Sequence, residues 1–379
     1  MILAGTVMLA SKSALALLPF DRTGNLYVSM WSADEIAVFT PTGVEIERFS
    51  ADGLDGPRGI AFNPANGEIW IAGEFSNAIY IFNHQHQFIR TLEHPEFNEP
   101  VGISFKNTTG AALIDQSVYV SNSNGNEIMV FSQNGDLQKQ FTGLALQDPN
   151  CSAFMQDDSL FVANRLGGTM GRSGAVSKFD LNDDYLFDFT TSGIASLMAL
   201  ARDPNAMSSG IDDTLWATSG GGDTGIYEFD QNGNLLTTLL PTDIDDGSAI
   251  IPQGIAFDGN GDFIVVSYLN EVIKFDSDGN YLMRFPTGSG TARSTAFQGC
   301  RTDVDTSQGC VPLGVNTDDA NTGSNNNNQG SDNTSTPMSE NIEIMTARTE
   351  ITRSSGGGAS GILFLTFSFF MAILRRAKY

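Results

Sequence analysis

One phrase recurs along this chain, and its last copy is the clearest. It reads Pro252-Gln253-Gly254-Ile255-Ala256-Phe257-Asp258, then Phe263-Ile264-Val265-Val266-Ser267, then Val272-Ile273-Lys274-Phe275-Asp276, then Asn280 to Phe285. Four short apolar runs are separated by turns. A phenylalanine near the end of each third run gives the ruler: Phe39, Phe82, Phe131, Phe179, Phe229 and Phe275, at intervals of 43, 49, 48, 50 and 46 residues. A four-strand unit of this length cannot bury both its faces alone and must stack on its neighbours. The pattern is that of a β-propeller. Six copies predict an all-β chain, a six-bladed propeller of four-stranded antiparallel blades.

The second runs, such as Ile69-Trp70-Ile71-Ala72 and Val118-Tyr119-Val120-Ser121, are apolar without alternation. That predicts strands covered on both faces. The first runs open on Pro57-Arg58-Gly59, Pro100-Val101-Gly102 and Pro252-Gln253-Gly254. A glycine there predicts backbones in close approach near the ring axis. The phrase is degraded to Asn150-Cys151-Ser152-Ala153-Phe154 and to Met198-Ala199-Leu200-Ala201 in copies four and five. Asn134-Gly135, Asn232-Gly233 and Asp278-Gly279 fit tight hairpins between third and fourth strands. Placing all four strands of blade one before Phe49 makes Leu17-Leu18-Pro19-Phe20-Asp21 its first strand. Ser294-Thr295-Ala296-Phe297 is then a candidate extra strand at the seam.

These motifs, Pro-x-Gly-Ile-Ala-Phe-Asp followed by a short β run, resemble the NHL-repeat propellers over about residues 17–285. That class shades into the SMP-30/gluconolactonase group. The resemblance implies a fold and no single activity. SMP-30-type enzymes hold a divalent metal at the channel mouth with glutamate, asparagine and aspartate, for which Glu74, Asn122 and Asn164 are the nearest candidates here. The catalytic aspartate of that group has no counterpart. The resemblance therefore leaves two functions open: a ligand- or protein-binding module, or a calcium-dependent lactonase-like hydrolase.

Loops after the second strands, with those entering the first strands, should crowd one mouth of the channel. They carry Trp31, Glu74, Asn77, Asn122, Asn124, Asn164, Arg165, Asp223, Tyr268 and Glu271. Amides, carboxylates and a few aromatics suit a small molecule, a glycan, a protein segment or a cation. Other catalytic patterns are missing: there is no His-Glu-x-x-His, Gly-x-Ser-x-Gly, phosphate-binding glycine loop or Cys-x-x-Cys. His84 and His86 are expected as exposed turn residues on the outer rim, and Cys151 as a small buried side chain. Asp180, Asn182 and Asp184 have calcium-loop spacing, but Tyr185 stands where glycine is needed; Asp303 to Gly309 is an equally poor match.

The ends read as address labels. Residues 1–16 resemble a truncated signal peptide, apolar with Ala14-Leu15-Ala16 as a cleavage pattern, or else a buried first strand. Residues 17–297 form the propeller and 298–315 a closing loop in which Cys300 and Cys310 are a disulfide candidate. Residues 316–355, rich in Asn, Ser, Thr and Gly, have too little apolar surface for a core and read as a disordered linker. Residues 356–379 combine Gly356-Gly357-Gly358, an apolar helix-like run from Ile362 to Leu374, and Arg375, Arg376 and Lys378. This order resembles a GlyGly-CTERM sorting signal, which implies a sorting protease and a place at the bacterial envelope or surface; a plain tail anchor is the alternative. The run of 13 residues is shorter than the about 20 that usually span a bilayer. Net charge is −24, which argues against nucleic acid as a partner.

Overall fold

The computed structural model describes residues 23–106, 117–143, 146–166, 174–189, 194–203, 214–222, 224–244, 248–258 and 261–299. Blade one contains β1 (Thr23–Met30), β2 (Glu35–Phe39) and β3 (Glu45–Phe49). Blade two is β4 (Pro57–Phe62), β5 (Ile69–Gly73), β6 (Ala78–Phe82) and β7 (Phe88–Glu93). Blade three is β8 (Pro100–Phe105), β9 (Val118–Asn122), β10 (Glu127–Phe131) and β11 (Leu137–Thr142). Blade four is β12 (Pro149–Phe154), β13 (Leu160–Asn164), β14 (Ala175–Phe179) and β15 (Tyr185–Phe189). Blade five is β16 (Ile194–Arg202), β17 (Leu215–Gly222), β18 (Gly225–Phe229) and β19 (Leu235–Leu239). Blade six is β20 (Pro252–Phe257), β21 (Phe263–Ser267), β22 (Glu271–Phe275) and β23 (Tyr281–Pro286). A last strand, β24 (Ala292–Gly299), follows.

The strands form six antiparallel four-stranded sheets, as the sixfold phrase requires. One sheet corrects the sequence reading. Blade one has the order β24-β1-β2-β3, so its innermost strand comes from the far end of the chain. Leu26 pairs with Phe297, Tyr27 with Ala296 and Val28 with Thr295. The four strands of blade one therefore do not all precede Phe49, and Ser294 to Phe297 supplies a missing strand instead of adding one. An edge strand left with open N–H and C=O groups is costly, and pairing it to the other end of the chain closes the ring. The closing strand runs to Gly299, two residues into the segment read as a loop.

Second and third strands are buried on both faces: β5, β6, β9 and β10 are buried at every residue. Fourth strands face solvent, and β11 is exposed at five of its six positions. The ruler phenylalanines lie inside, none more than 4% exposed. Each core lies between successive blades. Tyr27, Ile36 and Val38 of blade one pack on Ile60, Ile71, Tyr80 and Phe82 of blade two. At the axis the expected crowding is present: a Cβ on Gly59 would sit 2.6 Å from the Val101 carbonyl oxygen, and one on Gly102 would sit 2.7 Å from that of Asn150.

Candidate functional site

The first strands β4, β8, β12, β16, β20 and β24 line a cavity of about 120 Å³ on the axis. Near the start of each, register shifts interrupt the pairing with the second strand, as between Pro57 and Ile60, Pro149 and Cys151, or Leu197 and Ala199. Bulges of this kind re-aim a side chain. The residue after the opening proline, or its equivalent, falls in this irregular stretch. In blade order these are Arg293, Arg58, Val101, Asn150, Met198 and Gln253; all but Gln253 line the cavity, and Gln253 bonds to Arg293. The variable letter of the Pro-x-Gly phrase is thus the letter that faces the channel.

Two of these six are arginines. Arg58 is 7% exposed; its Nη2 donates to Asn150 Oδ1 at 2.8 Å, and its Nη1 lies 3.5 Å from Glu74 Oε2. Burial lowers its pKa, partly offset by Glu74. The Arg293 guanidinium lies over two rings, 4.7 Å from the Trp31 centroid and 4.6 Å from that of Tyr268. Its Nη1 donates to Gln253 Oε1 at 2.8 Å, while its Nε is buried with no acceptor among the described residues. Burial, reinforced by the charge of Arg58, pulls its pKa down to about 10. It stays protonated at neutral pH.

Carboxylates surround the arginines. Glu74 also accepts from the Trp31 indole N–H. Asp148 accepts from Arg165 Nε at 2.6 Å and from the Ser123 hydroxyl. Burial, together with Glu74, raises the pKa of Glu99. Glu99 and Asp148 precede the prolines that open β8 and β12, and both have left-handed backbones, φ 55° and 56°. Such strain costs of order 1–3 kcal/mol and persists where the surroundings enforce it. An Asx side chain from the previous blade helps to do so: Asn77 Oδ1 accepts from Glu99 N at 2.8 Å and Asn126 Oδ1 from Asp148 N at 2.9 Å.

Of the residues read from sequence as mouth candidates, Trp31, Glu74, Arg165 and Tyr268 gather around these arginines. Asn122 and Asn164 are fully buried and hold loops instead. Asn122 Oδ1 accepts from Asn98 N and Asn164 Oδ1 from Gln147 N, while their amide groups donate to Glu127 and Ser177. Their carboxamides are engaged apart from Glu74, which faces Arg58. Among the described residues no group of three or more His, Cys, Asp or Glu is placed to hold a metal ion. Asp180 Oδ1 accepts from the backbone of Asn182 and Asp184, an Asx turn. His86 is not an exposed turn residue: its ring is 12% exposed and bonds Tyr27 and Glu47 of blade one. Cys151 is half-buried on the cavity wall, more open than expected because copy four has cysteine where the phrase has glycine. Asp223, Cys300, Cys310, Gly356, Gly357, Gly358, Arg375 and Arg376, with residues 1–16, lie outside the described residues. Among the described residues no helix is long and apolar enough to cross a membrane.

Residues 17–166 match the family model described as lactonase, 7-bladed beta-propeller. That match covers less than half of the chain, and the described residues form six blades. The chain is a β-propeller. Solved structures agree on the fold. A protein of unknown function from Bacteroides caccae superposes with a TM-score of 0.54 at 12% identity, covering 73% of this chain and 99% of that one. Virginiamycin B lyase from Staphylococcus aureus gives 0.52 at 14%, covering 73% and 88%. A chain of the nidogen/laminin complex gives 0.54 at 13%, covering 72% and 97%. No curated protein matches the sequence.

Proposed function

We propose that this propeller is a binding module that takes its ligand at the arginine-lined mouth of the axial channel. The observation that carries the reading is Arg293, which packs on Trp31 and Tyr268, lines the cavity and has a buried Nε with no acceptor among the described residues. A buried polar group without a partner is costly, and a bound acceptor removes that cost. Carboxylates that could hold a cation are already partnered by arginine: Glu74 by Arg58 and Asp148 by Arg165. A calcium ion there would have to displace guanidinium groups of its own sign. The ends of the chain extend the proposal to an exported protein, sorted or anchored at the cell envelope by residues 356–379.

The chain contains three tryptophans, and Trp31 is the one at the mouth. The full chain, titrated with small solutes, oligosaccharides and peptides, should show hits that move the Trp31 indole N–H resonance and disappear in Trp31→Ala. Hits that persist unchanged in that variant would place binding elsewhere.

A second reading, a lactone hydrolase, is favoured by the lactonase match over residues 17–166. Metal analysis of the purified full chain followed by a lactone-hydrolysis assay separates the two. Stoichiometric calcium with turnover that a chelator abolishes selects the hydrolase. No metal and no turnover selects the binding module.

A further inference from the structure

Arg58 and Arg165 each have a carboxylate partner, but Arg293 has none among the described residues. Its Nη1 is engaged by a neutral amide, and its Cζ lies over the rings of Trp31 and Tyr268. On the remaining edge, formed by Nε and Nη2, the buried Nε has no acceptor among the described residues. That edge presents two parallel N–H groups, the geometry that matches the two oxygens of a carboxylate. Contacts with two aromatic rings and the bond to Gln253 restrict the guanidinium, so less side-chain freedom is left to lose on binding.

Charge narrows the ligand further. Arg58 pairs with Glu74 and Arg165 with Asp148, and Arg293 lies near enough to feel the charges of Arg58, Glu74 and Arg165. Arg293 is the arginine without a carboxylate in ion-pair range among the described residues, and Glu99 is a further carboxylate at the mouth, so the site suits no more than a monoanion. A doubly charged phosphate would bring a second negative charge towards Glu74 and Glu99. Size narrows it as well. A cavity of about 120 Å³ is somewhat smaller than the roughly 150 Å³ apolar cavity that holds a benzene, so it takes no more than about six non-hydrogen atoms. Its wall is mainly polar, with Arg58, Asn150, Ser152 and Thr295, and presents aliphatic groups of Ile60, Val101 and Leu200 beside them.

We propose that the axial cavity binds a compact monocarboxylate, its carboxylate on the Nε–Nη2 edge of Arg293 and its short carbon chain in the channel between the first strands. The proposal rests on the reading of the mouth as a ligand site and specifies that ligand's class.

The test uses the full chain, with butyrate as probe, its neutral isostere butyramide, and inorganic phosphate, each followed by the Trp31 indole resonance. Butyrate should give a saturable shift at least tenfold tighter than butyramide or phosphate. Arg293→Gln should weaken butyrate at least tenfold. Arg293→Lys, which keeps the charge but loses the planar fork, should fall between them and guards against a fold defect in the glutamine variant. Butyramide binding as tightly as butyrate overturns the carboxylate assignment while leaving the mouth a ligand site. Phosphate binding more tightly than butyrate overturns the monoanion assignment in the same way. Butyrate binding that Arg293→Gln leaves intact removes Arg293 from the site. If neither butyrate nor any other solute moves the Trp31 resonance, the ligand-site reading falls with it.

Discussion

Single side chains decide how blades are fastened, and His86 is the clearest case. The Tyr27 hydroxyl and His86 Nε2 are 2.7 Å apart, His86 Nδ1 lies 2.6 Å from Glu47 Oε1, and the ring stacks on Phe49 at 4.5 Å. A neutral ring fits both contacts, donating from Nδ1 to Glu47 and accepting at Nε2 from Tyr27. Burial lowers the His86 pKa and outweighs the pull of Glu47; His84 pushes the same way as burial, and Tyr27 is itself raised by burial. The folded state therefore resists a proton that the unfolded chain takes up near pH 6.5, on the order of an ordinary imidazole. Stability from this site is full above that pH. It is lost as pH falls through the unfolded value and levels off below the folded one, with a slope of at most about 1.4 kcal/mol per pH unit. Thermal unfolding of wild type and His86→Gln between pH 8 and 5 should show a steeper acid loss in wild type. Parallel curves would remove His86 from the account. Nothing local in the sequence marks this histidine, because its partners lie 39 and 59 residues away.

At the scale of elements, two repeated devices join the blades. The first is apolar. Phe49, Phe141, Phe189 and Phe285 sit at one position of the fourth strands and meet the ruler phenylalanine of the next blade: Phe82, Phe179, Phe229 and Phe39, at 5.0 to 5.3 Å. The second is polar. Asp34, Asn77, Asn126 and Asn270 precede third strands in left-handed conformation, and each side chain accepts from a backbone N–H 22 residues on, at Gly56, Glu99, Asp148 and Ala292. The constant spacing makes this latch legible in the sequence, and reading Asn77 as a binding residue overlooked it. Asn77→Ala loses both the bond and the tolerance for positive φ and should cost about 2 kcal/mol. Asn77→Gly restores the backbone freedom and should recover about half of that. Equal losses in chemical denaturation would mean that backbone strain plays no part.

For the whole molecule, closure is the decisive event. Blade one is complete only when β24 pairs with β1, and Phe285 on Phe39 closes the same seam with apolar contact. Ending the chain after residue 285 should expose the buried Leu26, Val28 and Met30 and abolish cooperative unfolding. Deleting residues 356–379 should leave the unfolding midpoint in place and change only where the protein is found. Loss of folding in that second variant, measured by circular dichroism, would show the tail to be structural.

The sequence alone determined the number of blades, the strands of five of them, the buried phenylalanines and the tight turns. These depend on residues close in the chain, and the repeat states them six times. Only the tertiary structure decided which strand completes blade one, because pairing at a sheet edge is settled by which edge is left open. It also decided the composition of the mouth. Arg58 and Asn150 are 92 residues apart and Gln253 and Arg293 40 apart, each reading locally as the variable letter of a strand motif or its equivalent. The bulged register near the start of each first strand turns that letter towards the axis, and closing the ring brings the six letters together. Their shared chemistry is a property of the circle, which a linear reading of the chain does not contain.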